Sequence, residues 1–330
     1  MGLKQSSEHL DFDSGDIPSA TRGSFVTPSN SIHLLCWRLA AFVLTLLSIF
    51  AFSSAAFAGE DADDAATGQG ERIHEETEIR HRTAPHAPDP DKDGFHFTTV
   101  RTWLFRDFLP NSDDSTILGI EAVSAWGWGN YDVTNISYIE LVDYPRAVPG
   151  RPQGNPEGEF GAATGVTDLL SAFLFSKKGP HHGPHHFAYG LATQLPTGSD
   201  DTISSGKWSL GPAIEYEYHK DRFYAAFVAL QLWSVAGDSD RKSVSMMMIK
   251  PMITYDLTEK WKAAYMPYGI SIYWNKESGQ KVYLPLGGGL QRNFRLGSQE
   301  MAASLQFFKY VVRPDKGSEY DLRFMLEFDF

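Results

Sequence analysis

Cysteine is all but missing from this sequence: Cys36 is the single one in 330 residues. No intramolecular disulfide can brace the fold. Basic charge is scarce, with 29 Lys and Arg against 41 Asp and Glu, and the net charge of −12 argues against a nucleic-acid partner. Long apolar runs are lacking too. The greasiest stretch, from Leu39 to Phe52, holds about 14 residues where a membrane-spanning helix needs roughly 20. From Phe95 onward no segment keeps a 3.6-residue period over a dozen positions, which leaves no basis for a helical bundle. What the chain has in quantity is aromatic side chains, 22 Phe, 14 Tyr and 8 Trp.

Residues 1–32 are polar. Arg38 then precedes the apolar run, and Ala56-Phe57-Ala58 places small residues where a signal peptidase reads them. This pattern predicts a secretory signal within residues 1–58, cleaved after Ala58. The polar stretch ahead of it is atypical of a signal and points to a start codon downstream of Met1. Cys36 stands before the run, the wrong place for a lipoprotein cysteine. Residues 59–94 are acidic, contain several histidines and hold almost no large apolar side chains. They cannot bury enough surface to offset ordering entropy, so a disordered tail is expected there.

Residues 95–330 alternate with period two between turn-forming clusters. In "KWSLGPAIEYEYHK" one face carries Trp208, Leu210, Pro212, Ile214, Tyr216 and Tyr218. The other carries Ser209, Gly211, Ala213, Glu215, Glu217 and His219. "KVYLPLGGGLQRNF" and the final "EYDLRFMLEFDF" repeat the pattern, the last with Tyr320, Leu322, Phe324, Leu326, Phe328 and Phe330 on the greasy face. Twelve strands result, at 96–107, 116–127, 134–144, 165–176, 186–196, 207–219, 222–234, 244–256, 261–274, 281–293, 301–312 and 320–330. The first and third alternate raggedly.

The links sort by length. "KDR", "LTEK" and "RLGSQE" are short. "PRAVPGRPQGNPEGEFGAATG", "TGSDDTISSGK" and "VAGDSDRKS", on the other side, are mostly longer. Short turns at one rim, long loops at the other and an even strand number predict an all-β, antiparallel transmembrane barrel in a bacterial outer membrane. Its partners would be membrane lipids and a small-molecule solute. The last strand would pair with the first, because an open edge in hydrocarbon leaves backbone groups unsatisfied. Trp208, Tyr218, Trp261, Tyr273 and Trp274 fall near strand ends, where a girdle at the headgroups is expected. A soluble secreted barrel is the competing architecture, with less need of outward aromatics.

The alternation assigns to the lumen Glu121, Gln194, Glu215, Glu217, His219, Lys250, Gln291, Gln306, Asp321, Arg323 and Glu327. Of these, Glu215, Glu217, Lys250 and Arg323 are the expected constriction. Acids outnumber bases in this set, which predicts a mild cation preference; a neutralised ion-pair network that conducts nothing is the opposing reading. "KKGPHHGPHHF" puts His181, His182, His185 and His186 on one Gly-Pro turn, a set whose imidazoles suit zinc, copper or nickel. A solvated turn is the bland reading. No cofactor is expected, nor catalysis. An outer-membrane lipid hydrolase would need a Ser beside a His at the outer rim, and the sequence offers none there. "GGG" at Gly287–Gly289 lacks the Lys-Ser/Thr of a phosphate loop and reads as close packing or bending.

The order "LATQLPTGSDDTISSGKWSLGPAIEY", "LWSVAGDSDR", "KPMITYDLTEKW", "VYLPLGGGLQR" and "DLRFMLEFDF" resembles the outer-membrane transporter family named for phenol degradation by the meta pathway. The resemblance spans roughly residues 115–330 and is most specific in P-T-x-x-D followed by G-K-W-x-x-G-P. It implies a secreted barrel that admits small organic molecules passively, hydrophobic or aromatic ones among them. The terminal strand ending on Phe330 likewise resembles the signal read by the bacterial barrel-assembly machinery. Lys250 stands where the family carries Gln before the Pro of "KPM", and "GVTDLL" replaces a tighter Gly-Asp pair near Asp168.

Overall fold

The computed structural model describes residues 94–149, 161–178 and 184–330. The expected signal and tail, along with His181 and His182, lie outside them. The described residues form one antiparallel sheet of β1 (His96–Phe108), β2 (Asp114–Trp128), β3 (Tyr131–Tyr144), β4 (Ala163–Val166), β5 (Leu169–Lys177), β6 (His185–Leu195) and β7 (Lys207–Lys220). It continues with β8 (Phe223–Gly237), β9 (Ser245–Asp256), β10 (Trp261–Tyr265), β11 (Ile270–Tyr273), β12 (Val282–Leu296), β13 (Gln299–Val312) and β14 (Tyr320–Asp329).

Two staves are each broken in two. β4 and β5 both pair with β3, and β10 and β11 both lie between β9 and β12. The fourteen segments therefore make twelve staves. β14 pairs with β1 from Thr99↔Asp329 to Phe108↔Tyr320, and the sheet closes on itself. Closure leaves no edge whose N–H and C=O groups would face hydrocarbon unsatisfied, at several kcal/mol each.

Side chains follow the pleat. Leu104, Leu210, Leu290, Leu305, Leu322 and Phe324 are exposed on the outside. Arg101, Gln194, Glu215, Gln306, Asp321 and Arg323 are buried inside. A polar core within an apolar coat inverts the pattern of a soluble protein, and lipid is the only solvent in which it is favourable. Trp208, Trp233 and Trp274 ring the long-loop rim; Trp128 and Trp261 stand at the short-turn rim, all exposed. Tyr273 departs from the expected girdle: it is buried, because its position in β11 has inward parity.

Both breaks occur where the chain turns into the lumen, and neither was expected from the alternation. Between β10 and β11 the residues Met266, Pro267 and Tyr268 leave the sheet and are buried. Pro267 has no N–H to give a ladder. Between β4 and β5, Thr167 and Asp168 are buried in the same way. β12 passes very close to β13: a Cβ on Gly289 would sit 1.9 Å from the carbonyl oxygen of Leu305. Only glycine fits there, which is the packing role expected of "GGG".

Candidate functional site: the lumen

At mid-height the lumen is crossed by ion pairs. Arg101 on β1 donates through Nη1 to Glu121 on β2 at 2.7 Å, and through Nε to Glu327 on β14. Lys250 on β9 reaches across to the other oxygen of Glu121 at 2.6 Å, with its ammonium 4.6 Å from the centre of the Tyr138 ring. Two cations and two carboxylates thus cancel in a belt bridging opposite walls. Arg101 Nη2 has no partner among the described residues.

Toward the long loops the lining turns apolar. Arg323 on β14 donates to Asp321 Oδ2 at 2.7 Å and to the Met266 carbonyl at 2.9 Å. Its guanidinium lies 4.5 Å from the Phe105 ring centre and 4.8 Å from that of Phe308. Gln306 accepts the Met266 N–H at 2.9 Å, so the inward turn between β10 and β11 is pinned from two strands. Tyr268, at the tip of that turn, meets Phe105 at 5.9 Å and Tyr138 at 6.3 Å, edge to face.

Between these aromatics and the ion-pair belt lies a cavity of about 70 Å³. Trp103, Phe105, Tyr138, Leu230, Met252 and Tyr268 form most of its apolar wall, with Arg101, Glu121 and Lys250 at its polar side. Such a mixture, mostly apolar with a few convergent polar groups, is typical of ligand pockets.

Toward the short-turn rim stand Glu215 and Glu217 on β7. Tyr224 donates to Glu217 Oε1 at 3.2 Å, and His186 Nδ1 is 3.8 Å from its other oxygen. His219 is half-buried with its ring near Tyr224. Gln291 is buried and donates to Asn293 at 3.0 Å. Of the residues assigned to the lumen from the alternation, His219 and Lys250 are half-buried and the others buried, and they do not converge on one point. Glu121, Lys250 and Glu327 share the belt; Asp321 and Arg323 sit toward the long loops; Glu217 and His219 lie toward the opposite rim. Of the histidine turn, His185 is exposed and bonded to the Tyr216 hydroxyl at 2.7 Å, whereas His186 faces inward. Among the described residues no group of three His, Cys, Asp or Glu is placed to hold a metal ion.

Sequence reasoning did not name Arg101, Trp103, Phe105, Tyr138 or Tyr268. Arg101 and Asp107 are six residues apart, hence on one face of a strand, and both are charged; that spacing was the available signal. Asp168 was noticed only as a departure. It accepts from Gln194 Nε2 (2.9 Å), Gly198 N (3.1 Å), Ser204 Oγ (2.6 Å), Ser205 N (2.8 Å) and Ser205 Oγ (2.6 Å). It thereby fastens the loop between β6 and β7, the stretch in which "PTGSDDTISSGK" falls.

The closed antiparallel sheet, apolar coat and ionic lumen define an outer-membrane β-barrel. No family model matches the chain, and no curated protein matches it in sequence. Solved structures of similar shape include an outer membrane channel from Pseudomonas putida F1, 13% identical, matched over 74% of this chain and 100% of that one at a TM-score of 0.47. The β domain of the Bordetella autotransporter BrkA is 13% identical over 72% of this chain and 100% of that one, at 0.38. The TodX monoaromatic hydrocarbon channel, as its deltaS2 mutant, is 9% identical over 72% of this chain and 91% of that one, at 0.33. These likenesses are loose.

Proposed function

We propose that this barrel is a passive channel of the outer membrane for small solutes, hydrophobic or aromatic molecules among them. The observation that carries the reading is the cavity walled by Trp103, Phe105, Tyr138, Met252 and Tyr268 inside a closed barrel. An empty structural barrel would fill its axis with interdigitating side chains. Aromatic faces and a methionine thioether instead offer adaptable, water-poor contacts to a ring-shaped guest. The motif resemblance to the phenol-degradation transporters supports the same class of solute. Export through a signal in residues 1–58, and recognition of β14 by the barrel-assembly machinery, complete this reading.

The test is uptake by liposomes carrying the purified barrel. Toluene- or phenol-sized solutes should enter several-fold faster than into empty liposomes, and faster than pentose sugars. Entry at the rate of protein-free liposomes would refute it. A second reading, a barrel that conducts nothing, is favoured by the belt of Arg101, Glu121, Lys250 and Glu327 that bridges the lumen. Single-channel recordings in planar bilayers separate the two, since a sealed barrel gives no steps.

A further inference from the structure

Arg101 and Lys250 are matched in charge by Glu121 and Glu327 within the mid-lumen belt. Glu215 and Glu217 stand outside that cancellation. Glu215 is 1% exposed, yet neither of its carboxylate oxygens has a hydrogen-bond partner among the described residues. Glu217 is held by one hydroxyl, and its nearest basic group is an imidazole at 3.8 Å. A carboxylate taken from water with no direct ion pair is costly even with Arg101 in its neighbourhood, and a pair of them two residues apart on one face more so. A bound cation would remove the cost.

The neighbourhood says what kind of cation. Glu215 is the cross-strand partner of Val228, and Val228 of Lys250. Val228 and Lys250 both line the aromatic cavity, which puts Glu215 one strand away from that part of its wall. A metal ion would want at least a third ligand, and among the described residues no group of three His, Cys, Asp or Glu is placed to hold one. An organic ammonium asks for less. One or two carboxylates suffice for its head, while aromatic and methionine side chains take its body and its polarised methylenes.

We propose that Glu215, seconded by Glu217, binds the ammonium group of a small aryl- or alkylamine whose apolar part lies in the cavity of Trp103, Phe105, Tyr138 and Tyr268. The site selects amines over alcohols and acids of the same shape. Binding at this site stands on its own; the further claim that such amines are among the solutes rests on the channel reading.

Three probes that share one phenyl ring test it: benzylammonium, benzyl alcohol and benzoate, titrated into the purified barrel in detergent at neutral pH and followed by tryptophan fluorescence and calorimetry. Benzylammonium should bind roughly tenfold tighter than benzyl alcohol, the worth of one charge-assisted hydrogen bond, and benzoate weakest of all. Glu215→Gln should abolish the amine's advantage while leaving alcohol binding in place. Equal affinity of amine and alcohol on the unaltered protein overturns the proposal, and so does an advantage that survives Glu215→Gln. If the preference is absent while liposomes still admit neutral aromatics, only this proposal falls. If the preference holds while liposomes admit nothing, it is the channel reading that falls.

Discussion

Arg101 ties three strands together from a single side chain. It is 1% exposed, and its guanidinium is shared between carboxylates on β2 and β14 across the seam where the sheet closes. Replacing it with Met strands Glu327 and leaves Glu121 to Lys250 alone. Removing one partner of a buried pair leaves an uncompensated charge, at about 3–5 kcal/mol. Arg101→Met should therefore unfold at a markedly lower temperature in a heat-modifiability gel, and adding Glu327→Leu should recover part of the loss. A full recovery failing to appear is expected; no loss at all in the single variant would mean the pair contributes nothing. Asp168 does comparable work at the long-loop rim, where it accepts from five donors. Asp168→Asn keeps one acceptor and turns the other into a donor facing donors. With unmet hydrogen bonds at about 1–3 kcal/mol each, the 196–206 loop should become a site of rapid cleavage in limited proteolysis of proteoliposomes, with the barrel itself intact.

The staves were legible because lipid and lumen demand opposite chemistry on alternate residues. β7 and β14 show it plainly, with Trp208, Leu210 and Ile214 outward against Glu215 and Glu217, and Leu322 and Phe324 outward against Asp321 and Arg323. β1 and β3 were ragged for a physical reason now visible. Their inward residues Trp103, Phe105 and Tyr138 wall the cavity, so both faces are apolar there and the alternation fades. The signal thus weakens just where the lumen becomes a site. The breaks after Val166 and Tyr265 escaped notice because period two carries no information about where a ladder is interrupted; only Pro267 hinted at one. At the same scale, Gly289 makes a prediction. A side chain there would collide with the backbone of β13 at 1.9 Å, which no rotamer change relieves. Gly289→Val should lower the unfolding temperature and slow folding into detergent micelles, whereas Leu290→Val, outward and exposed next to it, should leave both nearly unchanged.

At the scale of the whole barrel, net charge is a poor guide to what the lumen selects. The chain carries −12, and much of the charge lies in loops and in the residues before the barrel. Within the belt, Arg101 and Lys250 cancel Glu121 and Glu327; farther along, Arg323 is matched by Asp321. Arg101, the cation that the sequence reading missed, removes much of the acid excess from which cation preference was first inferred. Glu215 and Glu217, buried on β7, have no direct partner among these ion pairs. Two lumenal carboxylates with no ion pair of their own draw cations and repel anions, and acidic groups along a pore set its selectivity. In a potassium chloride gradient across a planar bilayer, the reversal potential should accordingly have the sign of cation preference. Glu215→Gln with Glu217→Gln should carry it to zero, while Glu300→Gln, exposed at the short-turn rim and paired with Arg295, should not move it. An anion-selective barrel, or a double variant that keeps its preference, would place the filter elsewhere along the lumen.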